Sequence, residues 1–205
     1  VSFIFIIAIY QSLTYNKLHM KTVSVVGMAG AGKSEVARLF EENGFTRIRF
    51  GDVTDAEVKK RGLELNETNE RDVRERLREE LGMAAYAKLN LPRIDAALKS
   101  GNVVIDGLYS WEEYLFLKNY YREGFYVAAV WASPKTRYSR LTERQERPLT
   151  LDEAAGRDKA EIEHLNKGGP IAVADFIMIN ESSMENMRET AKKIIFEIKN
   201  GKKND

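Results

Sequence analysis

The octapeptide Gly27-Met28-Ala29-Gly30-Ala31-Gly32-Lys33-Ser34 fills every fixed position of the spacing G-x-x-x-x-G-K-[ST]. A short β-branched run, Thr22-Val23-Ser24-Val25-Val26, precedes it. Residues 35–42 follow with helical periodicity and stop at Asn43-Gly44. Strand, glycine loop and helix in that order let successive backbone N–H groups converge on an anion at a helix N-terminus. Glycine supplies the backbone angles such a loop needs and lets the main chain approach phosphate closely. The loop from Gly27 through Ala29, Gly30, Ala31 and Gly32 to Glu35 is therefore expected to cradle the phosphates. Lys33 would reach the terminal ones, and the Ser34 hydroxyl would hold magnesium. A glycine-rich turn that binds nothing has no need of the lysine and the hydroxyl.

Beyond the loop, strands and helices alternate. Residues 45–50 alternate apolar and polar, and residues 102–107, 125–131 and 174–180 are short apolar runs, giving four further strands. Helices are expected over residues 55–61, 67–98 (broken near Gly82 and at Pro92), 111–122, 134–146, 151–166 and 183–199, with Ser183 as an N-cap. Alternation of this kind implies a parallel sheet covered on both faces. The aromatics Trp111, Tyr114, Phe116, Tyr120 and Tyr121 read as packing residues rather than a base-stacking platform.

Composition narrows the chemistry. The chain has 205 residues, which suits one domain. Its 32 basic side chains nearly cancel 31 acidic ones, so no overall field favours nucleic acid or a membrane surface. With no cysteine there are no disulfides or thiolate metal sites, and two histidines, His19 and His164, are too few for a histidine metal centre. The apolar stretch over residues 1–10 is too short to span a bilayer. Residues 1–20 are expected to be an extension outside the domain at 21–200, with a packed hydrophobic strand or helix as the alternative. A cytoplasmic protein, monomeric or a small homo-oligomer, is the expectation.

Three groups could complete a phosphate site. Asp106 ends an apolar strand, where its carboxylate would emerge beside the loop and hold magnesium. Asp52 emerges similarly after the second strand, either to orient or deprotonate an acceptor hydroxyl or to serve as a turn residue. Arg137, Arg140, Arg144 and Arg147 recur at spacings of three and four, with Arg157 on the next helix. Such a run is either a solvated basic face or a lid, at about 140–160, that neutralises charge during transfer. Arg144 and Arg157 are the leading lid candidates.

The segments at 27–37, 50–53 (Phe-Gly-Asp-Val), 104–108 (Val-Ile-Asp-Gly-Leu), 132–141 (Ala-Ser-Pro-Lys-Thr-Arg-Tyr-Ser-Arg-Leu), 156–158 (Gly-Arg-Asp) and 174–181 (Ala-Asp-Phe-Ile-Met-Ile-Asn-Glu) occur in an order that resembles one family. They are similar to adenylate-kinase-related P-loop proteins, close to nucleoside monophosphate kinases and dephospho-coenzyme A kinases, over residues 21–199. The resemblance implies an α/β, three-layer P-loop NTPase fold with a five-stranded parallel sheet and a small helical lid. It also implies ATP with Mg2+, Arg144 and Arg157 as nucleotide-contacting arginines, and Asn180 near the adenine. Two positions depart from the pattern. Asp55 and Tyr109 stand where arginines grip the acceptor's phosphate in adenylate kinases, and Arg61, Arg76 or Arg78 would have to substitute. The expected activity is transfer of the γ-phosphoryl of ATP to a nucleotide-like or coenzyme-like small molecule. The competing expectation is a nucleotide-binding regulatory protein or slow ATPase. Nucleic-acid modification is disfavoured by the charge balance.

Overall fold

A computed structural model describes residues 20–145 and 148–201. The proposals for residues 1–19, including His19, and for Arg147 lie outside the described residues. Five strands form one parallel sheet in the order β2-β3-β1-β4-β5. They are β1 (Thr22–Val26), β2 (Thr46–Arg49), β3 (Val103–Asp106), β4 (Phe125–Trp131) and β5 (Phe176–Ile179). β1 is central and every residue in it is buried, because helices cover both faces. The chain passes from β1 to the edge strand β2, returns to β3 between them, and then reverses across β1 to build β4 and β5 on the other side. That reversal opens a crevice at the carboxyl ends of the strands, where open α/β sheets receive ligands.

The helices are α1 (Lys33–Glu42), α2 (Asp52–Lys60), α3 (Glu67–Leu81), α4 (Ala85–Ala97), α5 (Trp111–Tyr121), α6 (Pro134–Glu143), α7 (Leu151–Glu163), α8 (Gly168–Ala172) and α9 (Met184–Lys199). One core layer joins the sheet to α1 and α9 through Val23, Val25, Phe40, Met178 and Ile195. The opposite layer joins it to α2–α5 through Ile48, Phe50, Tyr86, Ile105, Leu117 and Phe125. A small third cluster packs Leu141 and Ala154 against Ala29 of the glycine loop. The proposed lid is therefore seated on the loop through apolar contact.

Ser183 caps α9 as expected, accepting the Asn186 N–H at 3.3 Å. Four local readings change. Asp52 does not hang from a strand end but is the first residue of α2, where an acid favours the helix N-terminus. Gly82, at φ 81°, separates α3 from α4, yet α4 runs through Pro92. Packing of Tyr86, Ala87, Asn90 and Ile94 on the same helix outweighs the lost hydrogen bond. The expected 134–146 helix stops at Glu143, because Arg144 is extended. The sequence Lys167-Gly168-Gly169-Pro170 reads as a break, but α8 starts there. Pro170 falls in its first turn, where a backbone N–H has no helical acceptor to lose.

Candidate active site

The glycine loop leads from the end of β1 into the N-terminus of α1. Gly32 adopts φ 100°, and a Cβ there would lie 2.4 Å from the Asn180 side-chain nitrogen. Gly30 adopts φ 78°, and its Cβ would lie 2.7 Å from the Arg137 carbonyl oxygen. The glycines are thus fixed from behind by neighbouring chain, apart from any demand made by phosphate. Among the described residues, the amides of Gly30, Gly32, Lys33 and Ser34 have no acceptor within the protein, and they form an anion nest at a helix N-terminus. The Ala31 N–H instead closes a turn onto the Met28 carbonyl at 3.2 Å. Glu35 pairs its carboxylate with Arg38 at 2.7 Å.

Lys33 is the first residue of α1, and its ammonium donates to the Met28 carbonyl at 3.0 Å. The residue as a whole is half-buried, but the charged end is withdrawn from water. Burial, then the nearby Lys167 and Arg157, lower its pKa to about 7 against the pull of Glu161 and Asp106. This is a desolvated cation held in reserve.

Asp106 ends β3 and is 5% exposed. One carboxylate oxygen faces the Ser34 hydroxyl at 3.5 Å. The other receives Arg47 from β2 at 2.5 Å. Sequence reasoning missed Arg47; the signal available was a pair of arginines two apart on a strand, which the alternation places on one face of β2. A hydroxyl and a carboxylate oxygen side by side are hard donors of the kind magnesium takes alongside substrate phosphates.

Glu161 of α7 and Lys167 at the start of α8 form a buried ion pair at 2.7 Å. Burial alone would raise the Glu161 pKa, but Lys167 and Lys33 hold it down to about 2. Arg157 donates to the same carboxylate at 3.3 Å with 42% of its side chain exposed. It lies within electrostatic reach of Lys33. Arg144 is half-buried at the C-cap of α6. Arg137 and Arg140 do not form a solvated face. Arg137 forks onto buried Asp158 at 2.8 and 2.5 Å, and Arg140 donates to the Asn180 carbonyl at 2.9 Å. Asn180 is itself buried, with its amide donating to the Ala31 carbonyl at 2.8 Å. It braces the loop.

On the far side of Asp106 lies a polar wall. Tyr109 packs edge-on against Tyr86, whose hydroxyl meets Thr54 at 2.6 Å and whose ring lies under Arg78. Burial, reinforced by Asp106, keeps the Tyr109 phenol protonated. Behind it Glu113 is fully buried, accepts the Tyr109 N–H at 2.8 Å, and is raised by burial to a pKa of about 7. Asp52 is bound on both oxygens, by Arg93 at 3.0 Å and Arg49 at 3.5 Å. Asp55 also pairs with Arg49 at 3.2 Å. Of the three substitute arginines, Arg61 pairs with Glu57 at 2.9 Å and Arg76 with Asp72 at 3.0 Å on helix surfaces. Arg78 alone of the three turns to the Tyr86 ring.

Among the described residues no helix is long and apolar enough to cross a membrane, and no group of three acidic or histidine side chains gathers as a metal site. The fold is shared with dephospho-CoA kinase from Campylobacter jejuni, at TM-score 0.56 and 17% identity over 88% of this chain and 98% of that one. It is shared equally with shikimate kinase from Acinetobacter baumannii solved in complex with shikimate, at TM-score 0.57 and 18% identity over 89% and 95%. Residues 23–166 match the family model described as an AAA domain. A UPF0200 protein of Thermococcus kodakarensis is 39% identical over 180 residues, covering 86% of this chain and 97% of that protein. One from Pyrococcus furiosus is 36% identical over 182 residues, covering 87% and 97%. With relatives this similar along nearly their whole length, the chain belongs to the UPF0200 family and carries an AAA domain with the P-loop kinase-like fold.

Proposed function

We propose that the chain is an ATP-dependent phosphotransferase acting on a nucleotide-like or coenzyme-like small molecule. The observation that carries this reading is the set of free amides on Gly30, Gly32, Lys33 and Ser34 among the described residues, with a desolvated Lys33 ammonium at its mouth. The kinase names borne by its structural neighbours agree with it. In this reading the nest holds the phosphates, and Lys33 spans the terminal ones. Ser34 and Asp106 would hold Mg2+, which supplies charge neutralisation to the phosphates when bound. Arg157 and Arg144 neutralise charge as the bond from the γ-phosphorus to its bridging oxygen breaks and the acceptor oxygen bonds to phosphorus. Asp52, held by two arginines, positions those cations on the acceptor side. Arg78, Tyr86 and Tyr109 form the wall against which the acceptor sits.

A panel of nucleotides and coenzyme precursors tests this directly. ADP formation dependent on one acceptor is expected. Tight Mg·ATP binding with hydrolysis indifferent to every acceptor would instead favour the regulatory or slow-ATPase reading, which the acidic Asp55 and phenolic Tyr109 motivate. Absence of Mg·ATP binding removes both.

Proton linkage gives a second test. In the empty protein Lys33 loses its proton as pH rises through about 7, whereas a lysine against triphosphate is held charged. Affinity should therefore be greatest below pH 7 on the Lys33 side of the equilibrium and fall above it. Loading at pH 8 should draw in on the order of one proton. Calorimetry in buffers of different ionisation enthalpy measures this uptake, and Lys33→Arg, always charged, should abolish it. Zero uptake in the unaltered protein would contradict the assignment.

A further inference from the structure

Lys167 is 2% exposed and reaches the crevice from the start of α8, a segment tied to α5 by the Trp111 N–H to Leu165 carbonyl bond at 3.3 Å. An ammonium carries three donors. Among the described residues the Lys167 ammonium makes one hydrogen bond, to Glu161, and lies 5.7 Å from the centre of the Tyr109 ring. Its position therefore bridges the nucleotide side, marked by Lys33, and the acceptor side, marked by Tyr109. Lys33, Lys167 and Arg157 all act on the single Glu161 carboxylate, which is 8% exposed. Below the Lys33 pKa, two water-poor ammonium groups and the half-exposed Arg157 around one buried anion leave an excess of positive charge, an arrangement unfavourable in itself. A doubly charged phosphoryl group at the end of the loop would balance it.

Resting on the phosphotransferase reading, and deepening it, we propose that Lys167 is a ligand of the terminal phosphoryl group of a bound nucleoside triphosphate, and that Glu161 keeps its place while the site is empty. The carboxylate mimics one phosphoryl oxygen, and loading the triphosphate moves Lys167 from Glu161 to the phosphate. The bland alternative is a salt bridge that only ties α8 to α7. That role would not distinguish a triphosphate from a diphosphate.

The two are separated by titrating Mg·ADP and Mg with a non-hydrolysable ATP analogue into the full chain, its Lys167→Met variant and its Glu161→Gln variant. Lys167→Met is expected to lose about 10- to 100-fold in affinity for the triphosphate and less than about threefold for the diphosphate, since a hydrogen bond to a charged group is lost only with the former. Glu161→Gln removes the competitor and is expected to raise the triphosphate-to-diphosphate affinity ratio several-fold, on the order of one weakened charged contact. Equal losses for both nucleotides, or no change in either, overturns the proposal. Should Lys167→Met fail to fold, the Glu161→Gln ratio decides, and an unchanged ratio overturns it. If the unaltered chain binds neither nucleotide, it is the phosphotransferase reading that has failed.

Discussion

Lys33→Met is expected to lower phosphoryl transfer about 10³-fold or more while leaving the melting temperature within a few degrees of the unaltered protein. The size of the loss follows from what the ammonium does. Preorganised charge aimed at a migrating phosphoryl group acts in a water-poor site, and removing one such group costs about 10²–10³, with cationic clamps on phosphate reaching about 10³–10⁵. Preservation of the fold follows from the electrostatics of the empty site. The Lys33 ammonium is held out of water beside Lys167 and Arg157, and its pKa near 7 records that the folded protein disfavours its charge. Methionine keeps the unbranched stem that packs at the start of α1 and removes the repelled charge. Among the described residues, only the bond to the Met28 carbonyl is lost. Turnover measured with the acceptor found in the panel, beside a thermal melt, checks both halves. Activity within tenfold of normal would refute the mechanism, and a collapsed melt would show that the lysine is structural.

The parts legible in the sequence were those written in local pattern. A β-branched run before a complete glycine motif fixes strand, loop and helix together, and the β1 and α1 seen in the structure fall where that pattern puts them. The five strands were legible for the same reason, since short apolar runs between helical segments admit few other arrangements. Asp106 was legible as a strand-end acid, but Arg47 was not, because that pair exists only once β2 lies beside β3. The same holds for Lys167. Nothing in Lys-Gly-Gly-Pro says that its ammonium will be buried over Tyr109, a residue 58 positions earlier in the chain. Asn180 illustrates a subtler failure. The sequence reads it as the last residue of the fifth strand, but β5 ends at Ile179 and the Asn180 amide braces the loop carbonyl of Ala31, a job defined only by the close approach that Gly32 permits. The arginine run on α6 misled because helical spacing reports which residues share a face, not whether that face meets solvent or another helix.

Arg137→Met turns that last point into the larger stability prediction. Arg137 is 4% exposed and makes four hydrogen bonds: two to the Asp158 carboxylate, one to the Ala132 carbonyl and one to the Ala29 carbonyl of the loop. Among the described residues, Asp158, 8% exposed, has only the Tyr138 hydroxyl at 3.0 Å as a further partner. Removing the guanidinium leaves a buried carboxylate almost unpaired, and breaking a buried pair from one side costs about 3–5 kcal/mol. For a domain of this size that corresponds to a fall in melting temperature on the order of 10 °C. The double variant Arg137→Met with Asp158→Leu should recover much of the loss, because an apolar pair of similar volume carries no stranded charge. Its nucleotide affinity should nevertheless stay low. Arg137 also holds the Ala29 carbonyl, so the loop loses its tether even when the charge penalty is lifted, and stability and phosphate binding part company. A single variant melting within about 3 °C of the unaltered protein would show that α6, α7 and the loop are held together by the apolar cluster of Ala29, Leu141 and Ala154 alone.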